Sequence, residues 1–268
     1  MTPRSVFGLT SLAGLASLGL ALLLGCSSSP PLDLELAEVP SAEELYRQGN
    51  QHLEGRRRFL VFHSTDYTKA IEAFQDVIDN YPYSEYAVLS ELKIADAYFD
   101  QELYEEALTY YRDFADLHPD HEQVAYTIYR AALCHYRQSH GPGRDQTATE
   151  QAIAQLDRLL SKYPQSPHAA EAEAMWRELR TRLAEHAMEI GDFYMEREEY
   201  QSAADRYRSV LNAYPGLGVD AEALYKLGLC YSEMNRDDEA ARIFQVLLEN
   251  YEGTDLAREA RDLVSSAN

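Results

Sequence analysis

The residues with the clearest capacity for chemistry are Leu23-Leu24-Gly25-Cys26. The small residue at 25 lets a peptidase cut before Cys26, whose thiol would then take a diacylglycerol. Ahead of the box lie one positive charge, Arg4, and an apolar run from Phe7 to Leu24, the layout of a secretory signal. That run is also about the minimum length to span a bilayer, so an uncleaved anchor is the alternative reading. Its shortness and the box at its end both favour cleavage. Ser27 follows the cysteine instead of Asp, which resembles an outer-membrane address under the sorting rules of Gram-negative bacteria. Three acyl chains on one residue would make the anchorage stable.

Little else in the chain points to reactivity. No Walker loop, GxGxxG, HExxH or GxSxG is present. His135 and His140 stand five apart, too few ligands for a metal site; a packed His135 and a loop His140 fit better. Carboxylates are so abundant that close pairs arise by chance. No catalytic residue, cofactor or metal is expected. Cys134 and Cys230 each follow Leu in apolar stretches, "AALCHY" and "LGLCYS", and read as small buried hydrophobes more than as a disulfide. The formal net charge of -21 would repel phosphates, so nucleic acid is not an expected partner.

From Ala42 onward apolar residues recur at three and four, as in Ala107, Tyr110, Tyr111 and Phe114, and no strand alternation persists. A Tyr-Pro joint or a worn version of it closes five segments: "DNYPYSEY", "DLHPDHEQ", "SKYPQSPH", "NAYPGLGV" and "ENYEGTDL". Working back from Pro119, an aromatic lies eight before (Tyr111), a small residue twelve before (Ala107), and another twelve before that (Ala95), with Tyr98 three after the last. Pro215 gives Tyr207, Ala203, Gly191 and Tyr194 at the same offsets, and Glu252 gives Phe244, Ala240, Gly228 and Tyr231. Two copies are stretched: Pro82, Phe74 and Ala70 pair with Gly49, and Pro164, Leu156 and Ala152 pair with Ala132.

This pattern resembles the tetratricopeptide repeat, a helix pair of about 34 residues. The small residues let helix A and helix B approach, the aromatic fills the gap, and the proline ends helix B. Ser84, Ser166 and Thr254 are placed to cap the next helix A. The fold class expected is all-α, a solenoid of about five helix pairs. The organisation expected is a signal peptide over 1–25, a lipidated cysteine and tether over 26–42, repeats over 43–252, and a C-terminal helix or tail over 253–268. The stretch 168–197 holds no Pro and one Gly, and reads as one helix of about seven turns, an extended helix A of repeat 4.

With the lipoprotein box, "YPYSEY", "GRDQ" opening helix B of repeat 3, and "FYMEREEYQSAADRYRSVLNAYP", the chain resembles the BamD family of outer-membrane β-barrel assembly lipoproteins. The resemblance implies a scaffold, not an enzyme, at the periplasmic face of the outer membrane. It would bind the POTRA domain of a BamA-like barrel subunit through its C-terminal repeats. Its N-terminal repeats would receive C-terminal segments of unfolded barrel proteins, and accessory assembly lipoproteins are further implied partners. Counting from Gly49 and Ala95, the inward face of helix A selects Tyr46, Asn50, Leu53, Leu92, Asp96 and Phe99 as a peptide groove. The run in repeat 4 selects Arg206 first and Arg197 second for the partner subunit. Another envelope repeat lipoprotein, such as a pilus-assembly pilotin or a cell-division coordinator, is the alternative, although such chains repeat more evenly.

The chain departs from the family in two places. The loop before Arg144 is only "SHGPG", and "GRRRFLVFH" at 55–63 lengthens repeat 1, read either as a longer helix A or as a partner or membrane contact. If the box at 23–26 is a lipidation site, Cys26→Ser leaves the precursor uncleaved and abolishes incorporation of labelled palmitate in growing cells. A Cys26→Ser chain that still takes up label would show the box misread.

Overall fold

The computed structural model describes residues 40–58 and 62–266, with side chains for all of these except 56–58, 62–64 and 266. The signal segment, Cys26 and nearly all of the tether lie outside the described residues. Within them, eleven helices and one short hairpin follow in order. Repeat 1 pairs α1 (Ala42–Glu54) with α2 (Tyr67–Asn80), and repeat 2 pairs α3 (Glu85–Asp100) with α4 (Tyr104–Leu117). Repeat 3 pairs α5 (Val124–Gln138) with α6 (Thr147–Lys162), and repeat 4 pairs α7 (Ala169–Met195) with α8 (Tyr200–Ala213). Repeat 5 pairs α9 (Asp220–Glu233) with α10 (Asp237–Asn250), and α11 (Asp255–Ser266) follows. Each helix packs on its successor, and α11 covers both α9 and α10. This is the all-α solenoid of five helix pairs that the spacing predicts.

The small and aromatic marks meet as helix geometry requires. A Cβ on Gly49 would lie 2.5 Å from the Phe74 ring, and one on Gly191 or Gly228 would come closer still to the rings of Tyr207 and Phe244. Repeat 2 sets Ala95 with Tyr111, and repeat 3 sets Ala132 with Leu156, all four fully buried. The five rings or side chains are therefore seated where the two backbones come closest.

The joints between repeats share one geometry. Tyr81, His118, Tyr163, Tyr214 and Tyr251 end their helices with φ between -124° and -135°, outside the helical region. The residue before a proline is pushed there by the ring. Tyr251 adopts it before Glu252 as well, so the packing of the joint holds the bend even where proline is absent. Ser84 and Thr254 accept hydrogen bonds from Ala87 N and Ala257 N at the starts of α3 and α11. Ser166 does not cap α7: it accepts from His168 N, two residues on, within the turn.

The turns inside repeats 2, 4 and 5 were not legible as such. Glu102, Glu198 and Asn235, each five before the small residue of helix B, hold φ of 62°, 61° and 56°. The next amide returns to the helix end in each case, Leu103 N to Tyr98 O, Glu199 N to Tyr194 O and Arg236 N to Tyr231 O. This is the Schellman closure, which usually takes glycine.

Three expectations need correction. First, 55–63 is not a longer helix A. Gly55, at φ 71° and ψ 149°, ends α1, and β1 (Arg56–Arg58) and β2 (Phe62–Ser64) pair antiparallel in the register Arg56↔Ser64. The amide of Asp66 bonds to His52 O, closing the chain beneath the hairpin. Gly55 takes the positive φ that stops the helix before the hairpin. Second, "GRDQ" precedes helix B of repeat 3, since α6 begins at Thr147. Gln146 is buried there and its Nε2 donates to Gly141 O and Arg144 O at 2.9 Å, tying the short loop to the helix start. Third, as just noted, Ser166 serves its own turn. The single long α7 stands as expected, 27 residues from Ala169 to Met195. Both Cys134 and Cys230 are buried and unpaired.

The close approach at Gly228 sets a testable sign. Alanine is favoured over glycine in a helix by about 1 kcal/mol, yet overpacking a filled core costs about 1–3 kcal/mol. Gly228→Ala should therefore lower stability in urea unfolding. Adding Phe244→Leu, which copies the Ala132 and Leu156 pair of repeat 3, should recover part of the loss. A stabilised single variant would mean that the backbones part freely.

Candidate functional site

Two polar rungs cross from one repeat to the next. In repeat 2, Asp96 stands one after Ala95, and its Oδ1 accepts the hydroxyls of Tyr111 and Tyr126, both at 2.6 Å. Arg130 of α5 approaches the same oxygen at 3.4 Å and donates from Nε to the Tyr111 hydroxyl at 2.9 Å. In repeat 4, Asp192 stands one after Gly191 and accepts from Tyr207 at 2.7 Å and from Lys226 Nζ at 2.7 and 2.8 Å. Arg130 and Lys226 each precede the small residue of the next helix A by two. Burial, and then the adjacent carboxylate, push the Tyr111 phenol well above its ordinary range. Tyr207 is pushed up by burial and by its hydrogen bond to Asp192. These phenols therefore stay protonated donors at any physiological pH.

The rungs define the surroundings of the sequence-predicted groove. Tyr46 is half-buried, with its ring 5.5 Å from Phe74 and 5.4 Å from Tyr86 of the next repeat. Asn50 donates to Tyr46 O within its own helix at 2.9 Å. Leu53 is half-buried against the core of repeat 1. Phe99 lies under the Arg130 guanidinium, 3.8 Å from its centroid, and edge-on to Tyr104. Leu92 is 7% exposed and belongs to the core, so it offers no groove surface. Asp96 has Oδ1 engaged in the rung, while its Oδ2 has no hydrogen bond among the described residues.

At the far end of α7 the two selected arginines sit beside the exposed Phe193 and the half-buried Tyr194. The Arg197 guanidinium stacks 3.7 Å above the ring of Phe193, itself 48% exposed. Phe193 meets Tyr194 edge-on at 5.5 Å, and Arg206 of α8 lies 6.0 Å from the Tyr194 ring. Arg206 and Tyr194 line an open cavity of about 310 Å³ with Asp205. Asp205 pairs with Arg208 at 2.7 Å, and burial does not reach Arg206. Neither Arg197 nor Arg206 has an ion pair among the described residues. Two cations and two aromatics thus form one open patch.

The first half of α7 is a strut along α5. Tyr129 and Tyr136 donate to Glu171 and Glu178, and Arg182 Nη1 donates to Ser139 Oγ at 2.7 Å and to His140 O at 3.1 Å. His186 reaches Pro142 O. The short "SHGPG" loop is therefore pinned to α7. Among the described residues no helix is long and apolar enough to cross a membrane, and no three His, Cys, Asp or Glu side chains converge as a metal site would need.

A family described as "YfiO: Outer membrane lipoprotein" matches residues 40–247, from the start of α1 into α10. The outer membrane protein assembly factor BamD of Vibrio cholerae is 30% identical over 82% of this chain and 92% of its own length. That of Caulobacter vibrioides is 28% identical over 87% of this chain and 73% of its own. The chain belongs to the BamD family. Among solved structures, the TPR2AB domain of yeast Sti1 is 14% identical over 84% of this chain and 83% of its own, with a TM-score of 0.42. At that score the likeness adds nothing to the helix pairs seen directly.

The BamD-like stretch of repeat 4 contains a residue that the repeat spacing did not single out. Phe193 lies two after Gly191, off the core face, and a large aromatic there was the available signal. The polar rungs were also readable in retrospect. Only repeats 2 and 4 carry Asp one after the first small residue, and only they carry Tyr, not Phe or Leu, eight before the joint. Asp96, selected for a peptide groove from the sequence, consequently has a structural task. Asp96→Ala would strand Arg130 and two phenols, all mostly buried. Removing one partner of a buried pair costs about 3–5 kcal/mol, and the partial exposure of this rung lowers the expectation to about 2–3 kcal/mol. Denaturant unfolding of Asp96→Ala checks it, and an unchanged midpoint would show that the rung is dispensable.

Proposed function

We propose that this BamD-family chain is a non-catalytic scaffold in outer membrane protein assembly, held at the periplasmic face of the outer membrane by lipid on Cys26. The family match and the curated relatives, which are outer membrane protein assembly factors, support the general task. The short tether over 26–42 would keep the solenoid close beneath the bilayer.

The observation that carries the docking reading is the patch of Phe193, Tyr194, Arg197 and Arg206 on repeat 4. Aromatic and arginine side chains are the types that anchor protein interfaces. A chain with formal charge -21 that leaves two arginines unpaired beside these rings presents a complementary surface for an acidic partner. By family resemblance that partner is the POTRA domain of a BamA-like barrel subunit. Arg206 supplies a fork for a carboxylate, and Arg197, held over Phe193, supplies a second cation and apolar area.

The same reading assigns the first two repeats to C-terminal segments of unfolded barrel proteins. Tyr46, Asn50, Leu53 and Phe99 keep partial exposure, and Asp96 keeps one carboxylate oxygen for a peptide amide. Leu92 is withdrawn from that groove because it is buried.

Arg206→Ala should leave thermal unfolding unchanged and reduce co-purification of the barrel subunit from membranes. A loss of about 2 kcal/mol, roughly thirtyfold in Kd, is expected for truncating a docked charge. Arg206→Lys should restore part of the binding, since lysine keeps the charge and lacks the fork. Wild-type co-purification by a folded Arg206→Ala chain would place the interface elsewhere.

A further inference from the structure

A second cavity lies away from both surfaces considered so far. Helices α4, α5 and α6, joining repeats 2 and 3, enclose about 310 Å³. Leu108 and Ile128 give it an apolar wall. Arg112 of α4 and Arg158 and Gln155 of α6 line it with polar groups, and so does His135 of α5. A volume of this size is at the small end for ligand pockets and suits one side chain more than a large cofactor.

Three of these groups have no strong partner among the described residues. His135 is 8% exposed and has no hydrogen bond among the described residues. Three other histidines do: His118 meets Glu91 at 2.9 Å, His121 accepts from Gln123 N, and His186 reaches Pro142 O. Burial pushes the His135 pKa down against the opposing field of Glu105, so its ring is neutral and keeps one N–H to donate. Arg158 has no ion pair among the described residues. Arg112 has only its chain neighbour Asp113, at 3.5 Å and with both side chains more than half exposed, a pairing of little strength. Arg47, Arg177 and Arg208 sit on carboxylates of their own helices at 2.6–2.8 Å, whereas Arg158, like Arg137 and Arg242 among the described residues, takes none.

We propose that this cavity is a docking pocket for a carboxylate side chain presented, between apolar neighbours, by an extended partner peptide. The arginines come from two helices, so their forks can take the two carboxylate oxygens from opposite sides. The neutral His135 donates from the floor. The wall of Leu108 and Ile128 covers the apolar stem, and the amides of Gln151 and Gln155 are placed on α6 to meet peptide backbone groups. Glu105 is the acidic group that bears on His135. This surface is separate from the Arg197 and Arg206 patch, so either can hold without the other.

The test is fluorescence anisotropy of a dye-labelled, end-blocked peptide Ser-Leu-Glu-Leu-Ser with the full lipidated chain in detergent micelles. Its Ser-Leu-Gln-Leu-Ser counterpart should bind roughly tenfold more weakly, because it loses the charge-assisted bonds. Arg158→Gln and Arg112→Gln should each weaken binding about fivefold or more while the chain unfolds at the wild-type temperature. His135→Leu should weaken it too. If that variant misfolds, the two arginine variants, which change cavity-lining groups on the outer helices, decide the matter. Equal binding of the Glu and Gln peptides would overturn the proposal. So would insensitivity to both arginine changes. Full displacement by excess inorganic phosphate would overturn it as well, by showing a general anion site instead of a peptide pocket.

Discussion

The fold rests on how closely two helix backbones can approach within each repeat. At Gly49, Gly191 and Gly228 the opposite ring stands where a Cβ would otherwise be. The ring can enter only because the side chain across from it is missing, and the helices can pack only because the ring fills the space that remains. Every later feature inherits this spacing. Repeats 2 and 3 meet the same constraint with Ala95 and Tyr111, and with Ala132 and Leu156.

Stacking of one repeat on the next adds polar ties to that apolar rule. Asp96 and Asp192 each join a phenol of their own repeat to a cation of the following helix A. A half-buried carboxylate is acceptable there because it is shared among several donors. The strut α7 does the same over a longer span, binding Tyr129, Tyr136 and the 139–142 loop. Arg197, Arg206 and Arg158 take no part in these ties, and Arg112 has only the weak pairing with its neighbour Asp113.

The extent of legibility follows from the range of the forces involved. The repeat count, the breaks at the Tyr-Pro joints and the uninterrupted α7 depend on local backbone preferences and on a period within one helix. Those were readable. The hairpin at 56–64 was not, because "RRRFLVFH" fits a strand or one face of a helix equally well over so few residues. The left-handed turns at Glu102, Glu198 and Asn235 were hidden, since tertiary closure holds three non-glycine residues where glycine is the usual signal. Leu92 was assigned to a groove by counting along helix A, and the neighbouring repeat buried it.

The sequence by itself determined the class of fold: five helix pairs with small and aromatic residues at fixed offsets. It also determined the acidic charge and the position of Arg197 and Arg206 near the end of one helix and the middle of the next. Only the tertiary structure decided which charges remain open. Whether an arginine is spent on a carboxylate depends on which helices are brought side by side, a distance across repeats that no period along the chain encodes. For the same reason Asp96 proved to be part of a rung, Phe193 part of an exposed patch, and His135 the unpartnered floor of a cavity.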